Sequence, residues 1–168
     1  MNKNALHKLT YGLFVVSSVK DGHPNGQIAN VSFQVTSEPI QIAIALHKEN
    51  LTHEYVKHSG IFAISILDTT ADMVFIGRFG FRSGRDFDKF DDTINWKLGT
   101  TGAPIVLDHT VAYLEAKVVK DLDLGSHTLF IGKVVNGDIV GSGKPLTYDY
   151  YHNVIKGKEP PKAPTFSK

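Results

Sequence analysis

The chain has 168 residues, 42% of them hydrophobic, with 18 Lys and Arg against 17 Asp and Glu, a formal charge of +1 and no cysteine. That length and apolar fraction predict a single folded domain over residues 1–168, and the balanced charge argues against a sequence-independent grip on a nucleic-acid backbone. Without cysteine there are no disulfides, thiolate metal centres or cysteine nucleophiles, so redox chemistry here has to be carried by a bound cofactor.

Met1 to Thr10 is polar and Leu13–Val16 is too short for a signal-peptide core, which predicts a cytoplasmic protein. The longest apolar stretches, Ile40–Leu46 and Ile61–Leu67, fall far short of the ~20 residues of a membrane helix. Tyr11–Val19 and Gln27–Phe33 read as a hairpin turning over Asp21–Gly26. After a turn at Thr36–Pro39, Ile40, Ile42, Ile44 and Leu46 alternate with Gln41, Ala43, Ala45 and His47, the period of a strand. Leu51–His58 follows as a short helix with Asn50 as N-cap and Gly60 as stop. Ile61–Leu67 is another strand, and Asp68-Thr69-Thr70 offers caps for a helix over Ala71–Arg78.

Phe79–Phe90 lacks periodicity and reads as a long ordered loop with a helical turn near Asp86–Phe90. Strands are expected at Ile94–Leu98, Ile105–Leu107, Val111–Lys120, His127–Val135 and Asp138–Val140, with glycine-bearing turns at 99–102, 123–126 and 136–137. Leu146–Ile155 fits either a short helix or a packed arm, and Pro160, Pro161 and Pro164 make the remainder of a C-terminal arm, about 146–168, extended. The pattern is α+β, mainly antiparallel β with short helices, in a closed or sandwiched architecture.

Several familiar signatures come close and miss. His53-Glu54 begins a zincin-like motif, but the second imidazole, His58, comes one position too late to share a helix face, and no metal site is expected. Gly137 to Lys144 is one residue too long for a phosphate-binding P-loop and ends in Pro145 instead of Ser or Thr. Asn30-Val31-Ser32 and Asn50-Leu51-Thr52 match the glycosylation sequon in a chain with no secretion signal.

What survives is His47 to Thr52, a strand end running into a helix start that carries an ammonium, an amide and a hydroxyl. Unpaired N–H groups and the positive end of the helix dipole make such a start an anion site. The same residues also suit a plain helix cap with Lys48 in water. A second basic set, Arg78, Arg82, Arg85 and Lys89, is interleaved with Phe79, Phe81, Phe87 and Phe90, which suits either a planar anionic ligand or a solvated face opposed by Asp86, Asp88, Asp91 and Asp92. His127 opens a strongly β run after the turn Asp123–Ser126, where a strand end can present an imidazole to a cleft.

Taken in order, these segments resemble the flavin reductase-like family, the FMN-binding split-barrel proteins. The resemblance is carried by Asn25-Gly26 through Phe33, Val35–Pro39, Ile44–Lys48 with Asn50 and Thr52, Phe62–Leu67, Arg85–Phe90 and Ser126–Val134. The ending Pro145–Tyr151 with Ala163-Pro164-Thr165 is similar to flavoredoxin and to the flavin reductase domain fused to rubredoxin in high-molecular-weight rubredoxin.

The resemblance implies an antiparallel split β-barrel that binds FMN and takes hydride from NADH or NADPH. It implies that Asn30, Val31 and Ser32 run beside the isoalloxazine ring and that Lys48, Asn50 and Thr52 hold the phosphate. The loop bearing Phe79, Arg85 and Lys89 would close over ribityl and phosphate, with His127 near the reactive face. Ser126 departs from the Asp that many relatives carry there, which leaves His127 without an orienting carboxylate. A homodimer with flavin at the subunit interface is implied too. The alternatives are a flavoredoxin-like electron carrier serving rubredoxin or a flavodiiron-type acceptor, and a non-catalytic flavin-binding barrel.

Overall fold

The computed structural model describes residues 1–166; the last two residues of the predicted arm, 167 and 168, lie outside them. Strands β1 (Phe14–Lys20), β2 (His23–Ala29), β3 (Ser32–Ser37), β4 (Ile40–His47), β5 (Ile61–Leu67), β8 (Thr110–Asp123) and β9 (His127–Ile139) form one antiparallel sheet in the order β2-β1-β5-β8-β9-β4-β3. The short strands β6 (Trp96–Leu98) and β7 (Pro104–Val106) pair separately. Helices α1 (Leu51–Ser59), α2 (Met73–Gly80) and α3 (Tyr148–Asn153) complete the chain.

The sheet curls. Val16 on β1, Ala29 on edge strand β2, Ile42 and Ile44 on β4 and Phe130 on β9 share one buried cluster with Phe62 and Val56, although β2 and β4 stand far apart in strand order. The two edges, β2 and β3, do not pair with each other, and that is the split in the barrel. Gly132 lets β9 pass close to Phe62, since a Cβ there would come within 2.6 Å of the ring. A second cluster, with Phe75, Ile76 and Phe79 of α2 against Leu13, Phe90, Leu146 and Tyr151, seats α2 and the C-terminal segment on the other side of β1.

Several boundaries differ from the sequence expectation. The first turn needs only Asp21 and Gly22, both at positive φ (51° and 79°), the geometry of a two-residue hairpin. His23 to Gly26 therefore belong to β2, where an edge strand tolerates Pro24. The expected strand Gln27–Phe33 is interrupted at Asn30-Val31, and Thr36 and Ser37 close β3 instead of making a turn. α2 starts at Met73, capped by Asp72, whose carboxylate accepts from Phe75 N at 2.8 Å. No helical turn forms near Asp86–Phe90; the loop there is built of bends and turns. Asn136-Gly137 continues β9 because Gly137 allows close approach to Leu114, 2.7 Å from where a Cβ would stand. α3 settles the Leu146–Ile155 ambiguity as helix, capped by the Thr147 side chain.

Glu115 is fully buried on β8, and its carboxylate accepts from the backbone N–H of Thr100 (3.1 Å) and Thr101 (2.8 Å), the Thr101 hydroxyl (2.6 Å) and Asn136 Nδ2 (2.8 Å). Burial pushes its pKa up, but the hydrogen bonds from Thr101, Asn136 and Thr100 outweigh that and hold the group below its ordinary value. The unfolded chain therefore binds the proton more readily. The stabilisation is present above the ordinary carboxylate range and is lost as pH falls through the lowered folded pKa. Glu115→Leu should cost about 3 kcal/mol or more by orphaning these donors, and should remove part of the acid sensitivity of urea unfolding.

Candidate functional site

β4 ends at His47, whose backbone carbonyl accepts from Asn50 N at 3.0 Å, and the chain turns directly into α1. Asn50 sits extended (φ −77°, ψ 139°) at the helix start, but its side chain makes no cap bond. The N–H groups of the first turn are thus left for a ligand. Thr52 in that turn is buried, and its hydroxyl accepts from Asn25 Nδ2 at 2.8 Å, which ties α1 to β2.

The loop after α2 is folded around Arg78. Its guanidinium reaches the Lys89 carbonyl (3.3 Å), Asp91 (3.1 Å) and the Thr93 hydroxyl (2.6 Å). Phe87 lies under two guanidinium groups, 5.1 Å from Arg78 and 4.4 Å from Arg82. Gly84 closes on β2 so tightly that a Cβ would stand 2.0 Å from Asn25 Oδ1. Glu54 of α1 holds both Lys20 and Arg85, fastening the loop to the helix.

These elements enclose a cavity of about 600 Å³, with a floor of Asn25, Gln27 and Ala29 from β2 and Ala45 and His47 from β4. The helix start at Asn50–Thr52, the end of α2 at Ile76 and Phe79, Arg82-Ser83-Gly84 and residues 158–164 complete its lining. Gln27 Oε1 is buried and has no hydrogen-bond partner among the described residues. Lys89, only 4% exposed, donates to the carbonyls of Gly26 (2.9 Å) and Phe79 (3.2 Å), and burial pulls its pKa down to about 8. Among the described residues, no cluster of His, Cys, Asp and Glu is arranged to hold a metal ion.

Of the residues singled out in the sequence, Asn30, Asn50, Thr52, Phe79 and Lys89 line this cavity together. Val31 and Ser32 do not; the Val31 carbonyl accepts from Ala45 N at 3.3 Å, and Ser32 pairs with Ile44 in β3. Lys48 also lies outside, with its ammonium 2.6 Å from Asp123, and Arg85 is committed to Glu54 at 3.1 Å. His127 stands at the rim beside His47, the ring centroids 4.9 Å apart, and its Nε2–H donates to the Lys162 carbonyl at 3.3 Å. Burial lowers the His127 pKa and the neighbouring His47 adds to this, while the Lys162 carbonyl opposes it.

Arg82, one of the basic set noted in the sequence, also lines the cavity, whereas sequence reasoning missed Asn25, Gln27, Ser83-Gly84 and the arm. The signal for the first two is the period of two that joins them to Ala29 on one face of β2. For the arm, only the three prolines at 160, 161 and 164 hint at a stiff segment with something to cover.

A curled, split antiparallel barrel with an uncapped helix start opening on a cavity of about 600 Å³ defines the class. Residues 6–154 match the flavin reductase-like domain, and the chain belongs to that family. It is 49% identical to the ferric-chelate reductase (NAD(P)H) of Archaeoglobus fulgidus, over 99% of this chain and 98% of that one. It is 47% identical to the high molecular weight rubredoxin of Moorella thermoacetica, over 99% of this chain but 72% of the relative. The NADH:FAD oxidoreductase of Streptomyces globisporus C-1027 shares the fold with a TM-score of 0.76 at 26% identity, covering 85% of this chain and 84% of that one.

Proposed function

We infer that this chain is an NAD(P)H:flavin oxidoreductase that holds FMN in the 600 Å³ cavity. The observation that carries the reading is the donor set of that one cavity. An uncapped helix start and Arg82 suit a phosphate, the orphaned Gln27 Oε1 suits a ligand hydroxyl, and Ala29, Ala45, Ile76 and Phe79 suit a flat apolar ring. The Arg85–Glu54 pair and the Gly84–Asn25 contact close the loop side, which favours a mononucleotide.

Bound there, FMN supplies the hydride-accepting chemistry. The chain's own part is to bind and orient. The first-turn N–H groups, the Thr52 hydroxyl and Arg82 would hold the anionic end, Gln27 and Asn30 would meet the polar middle, and Ala29, Ala45, Ile76 and Phe79 would keep water from the ring. His127 stands beside His47 with its Nε2–H held by the Lys162 carbonyl, which fixes the ring's orientation. His127→Ala should slow hydride transfer and leave FMN in place; an unchanged single-turnover rate would reduce His127 to an anchor for the arm.

The reading is tested on purified protein. A flavin absorbance band that bleaches anaerobically with NADH or NADPH is expected. Failure of both donors, with light-driven reduction intact, would overturn it. That result would favour an electron carrier that exchanges with rubredoxin or a flavodiiron-type acceptor, a reading supported by the rubredoxin-named relative, 72% of which this chain covers.

The reading includes a homodimer. Edge strand β3 exposes Phe33 (54%) and Val35 (44%), with Ile40 beside them on β4 (51%), an apolar edge that a second copy would cover. Light scattering should give twice the 18.5 kDa chain mass, and Phe33→Glu should shift it to the monomer. No described helix is long and apolar enough to cross a membrane, and cytoplasmic residence, where NAD(P)H is available, belongs to the same proposal.

A further inference from the structure

The cavity's walls are unequal. Strands β2 and β4 are locked into the sheet ladder, and α1 and α2 are packed into the two cores. By contrast, no residue from Lys158 to Phe166 is buried. This segment is held by polar tethers. Asn30 Nδ2 donates to the Thr165 hydroxyl (2.8 Å), Tyr151 donates its hydroxyl proton to the Lys158 carbonyl (2.9 Å), and His127 holds the Lys162 carbonyl. Lys162 Nζ pairs with Glu49 at 2.9 Å. A wall with hydrogen bonds but no buried apolar anchor opens at low cost in free energy.

Three of these tethers involve Asn30, Glu49 and, through His127, the neighbourhood of His47, all but His127 among the cavity-lining residues. Upstream, Gly157 is buried against the Tyr151 ring, too close for any side chain, and fixes one end of the segment. Beyond it the chain is not the extended arm that the three prolines predict: Ala163 N–H donates to the Pro160 carbonyl (2.9 Å) and Phe166 N–H to the Ala163 carbonyl (3.0 Å), two successive turns that make the segment a short folded strap. The latch is exposed, with Glu49 at 68% and Lys162 at 47% side-chain accessibility, and an exposed pair of this kind holds weakly. A ligand with several phosphate oxygens outcompetes one carboxylate for the same ammonium.

We propose that the segment 158–165 is the wall displaced by the pyridine dinucleotide, and that Lys162 leaves Glu49 for the dinucleotide's phosphate groups. Lys162 is then a specificity-determining residue for the hydride donor. The proposal rests on the NAD(P)H reading above and adds to it where the donor comes in and what it meets. Lys158, the other lysine on the strap that lines the cavity, lies in position to assist.

The test uses the full-length, FMN-loaded protein and the oxidised nucleotides NAD+ and NADP+, whose binding is read by flavin fluorescence. Glu49→Gln frees Lys162 and should tighten binding about three- to tenfold, whereas Lys162→Met should weaken it by a similar factor. Hydrogen exchange of the arm should quicken in both variants. NAD+ and NADP+ run side by side separate a pyrophosphate contact from one to the 2′-phosphate. Nucleotide affinities that shift in the same direction in the two variants, or that stay within about twofold of the parent, would overturn the proposal. If the parent protein binds neither nucleotide while light still reduces its flavin, the hydride-donor reading fails and the strap proposal falls with it. Opposite shifts, with arm exchange quickened in both variants, support it.

Discussion

Thr52→Val should weaken FMN binding by about 10- to 100-fold, the loss of one charge-assisted hydrogen bond and of a buried partner. Thr52 is 1% exposed in the first turn of α1, and its oxygen is already engaged by Asn25 Nδ2. Its hydroxyl proton would then serve a ligand acceptor under the proposed reading, and valine of similar shape removes that donor and leaves the Asn25 amide unpaired. The informative contrast is Lys48→Ala. The family resemblance would make Lys48 a phosphate ligand, yet its ammonium is held by Asp123 outside the cavity, so removing it should change FMN affinity by less than about threefold. Arg82→Ala, by contrast, removes a cavity guanidinium with no carboxylate partner among the described residues, and should resemble Thr52→Val. Fluorescence titration of apoprotein decides between them, and a Lys48 effect as large as that of Thr52 would return Lys48 to the site.

That the place of Thr52 in the cavity lining is legible in the sequence and the place of the Lys48 ammonium is not is a matter of range. The strand β4 and the helix α1 are announced locally: period-two alternation over Ile40–His47, then a polar start and Gly60, which adopts φ 69° as its stop. Backbone N–H groups at a helix start are fixed by the helix itself, so Asn50 and Thr52 follow from sequence. Where a long flexible side chain points is set by whatever charge lies near it in space, and Asp123 is 75 residues from Lys48. Arg85 is diverted by Glu54 for the same reason, across 31 residues.

Errors in the fold have the same root. Gly137 carries a turn signal by residue type, but the requirement it meets is close packing on Leu114, which is set by the register of the long β8–β9 hairpin and not by the residues next to Gly137. Asp68-Thr69-Thr70 offers good capping chemistry, and the Asp68 carboxylate does take the Thr70 N–H, yet it does so in its own turn while Asp72 starts the helix. The arm is the extreme case. Its tethers reach Asn30 across 135 residues and His127 across 35, and only the folded barrel brings those positions under it.

Lys89 should give the protein an alkaline signature. Its folded pKa of about 8 lies below the ordinary 10.5, so between these values the unfolded chain binds more protons than the folded one. Stability then rises with pH across that window, and below it the buried ammonium costs on the order of 3 kcal/mol relative to a solvated one. The amine keeps its place because it is the donor that serves the Gly26 carbonyl of β2 and the Phe79 carbonyl in the last turn of α2. Lys89→Met should abolish the rise in stability above about pH 8 in denaturant titrations, and near neutral pH the relief of desolvation offsets much of the cost of two orphaned carbonyls. FMN works against the protein's own trend. An anion in the same cavity favours the charged ammonium, so its affinity should fall as pH climbs past the Lys89 pKa, and that fall should be missing in Lys89→Met. Equal pH dependence in parent and variant would mean that Lys89 only braces the wall, whereas loss of the dependence makes its charge part of the anion site.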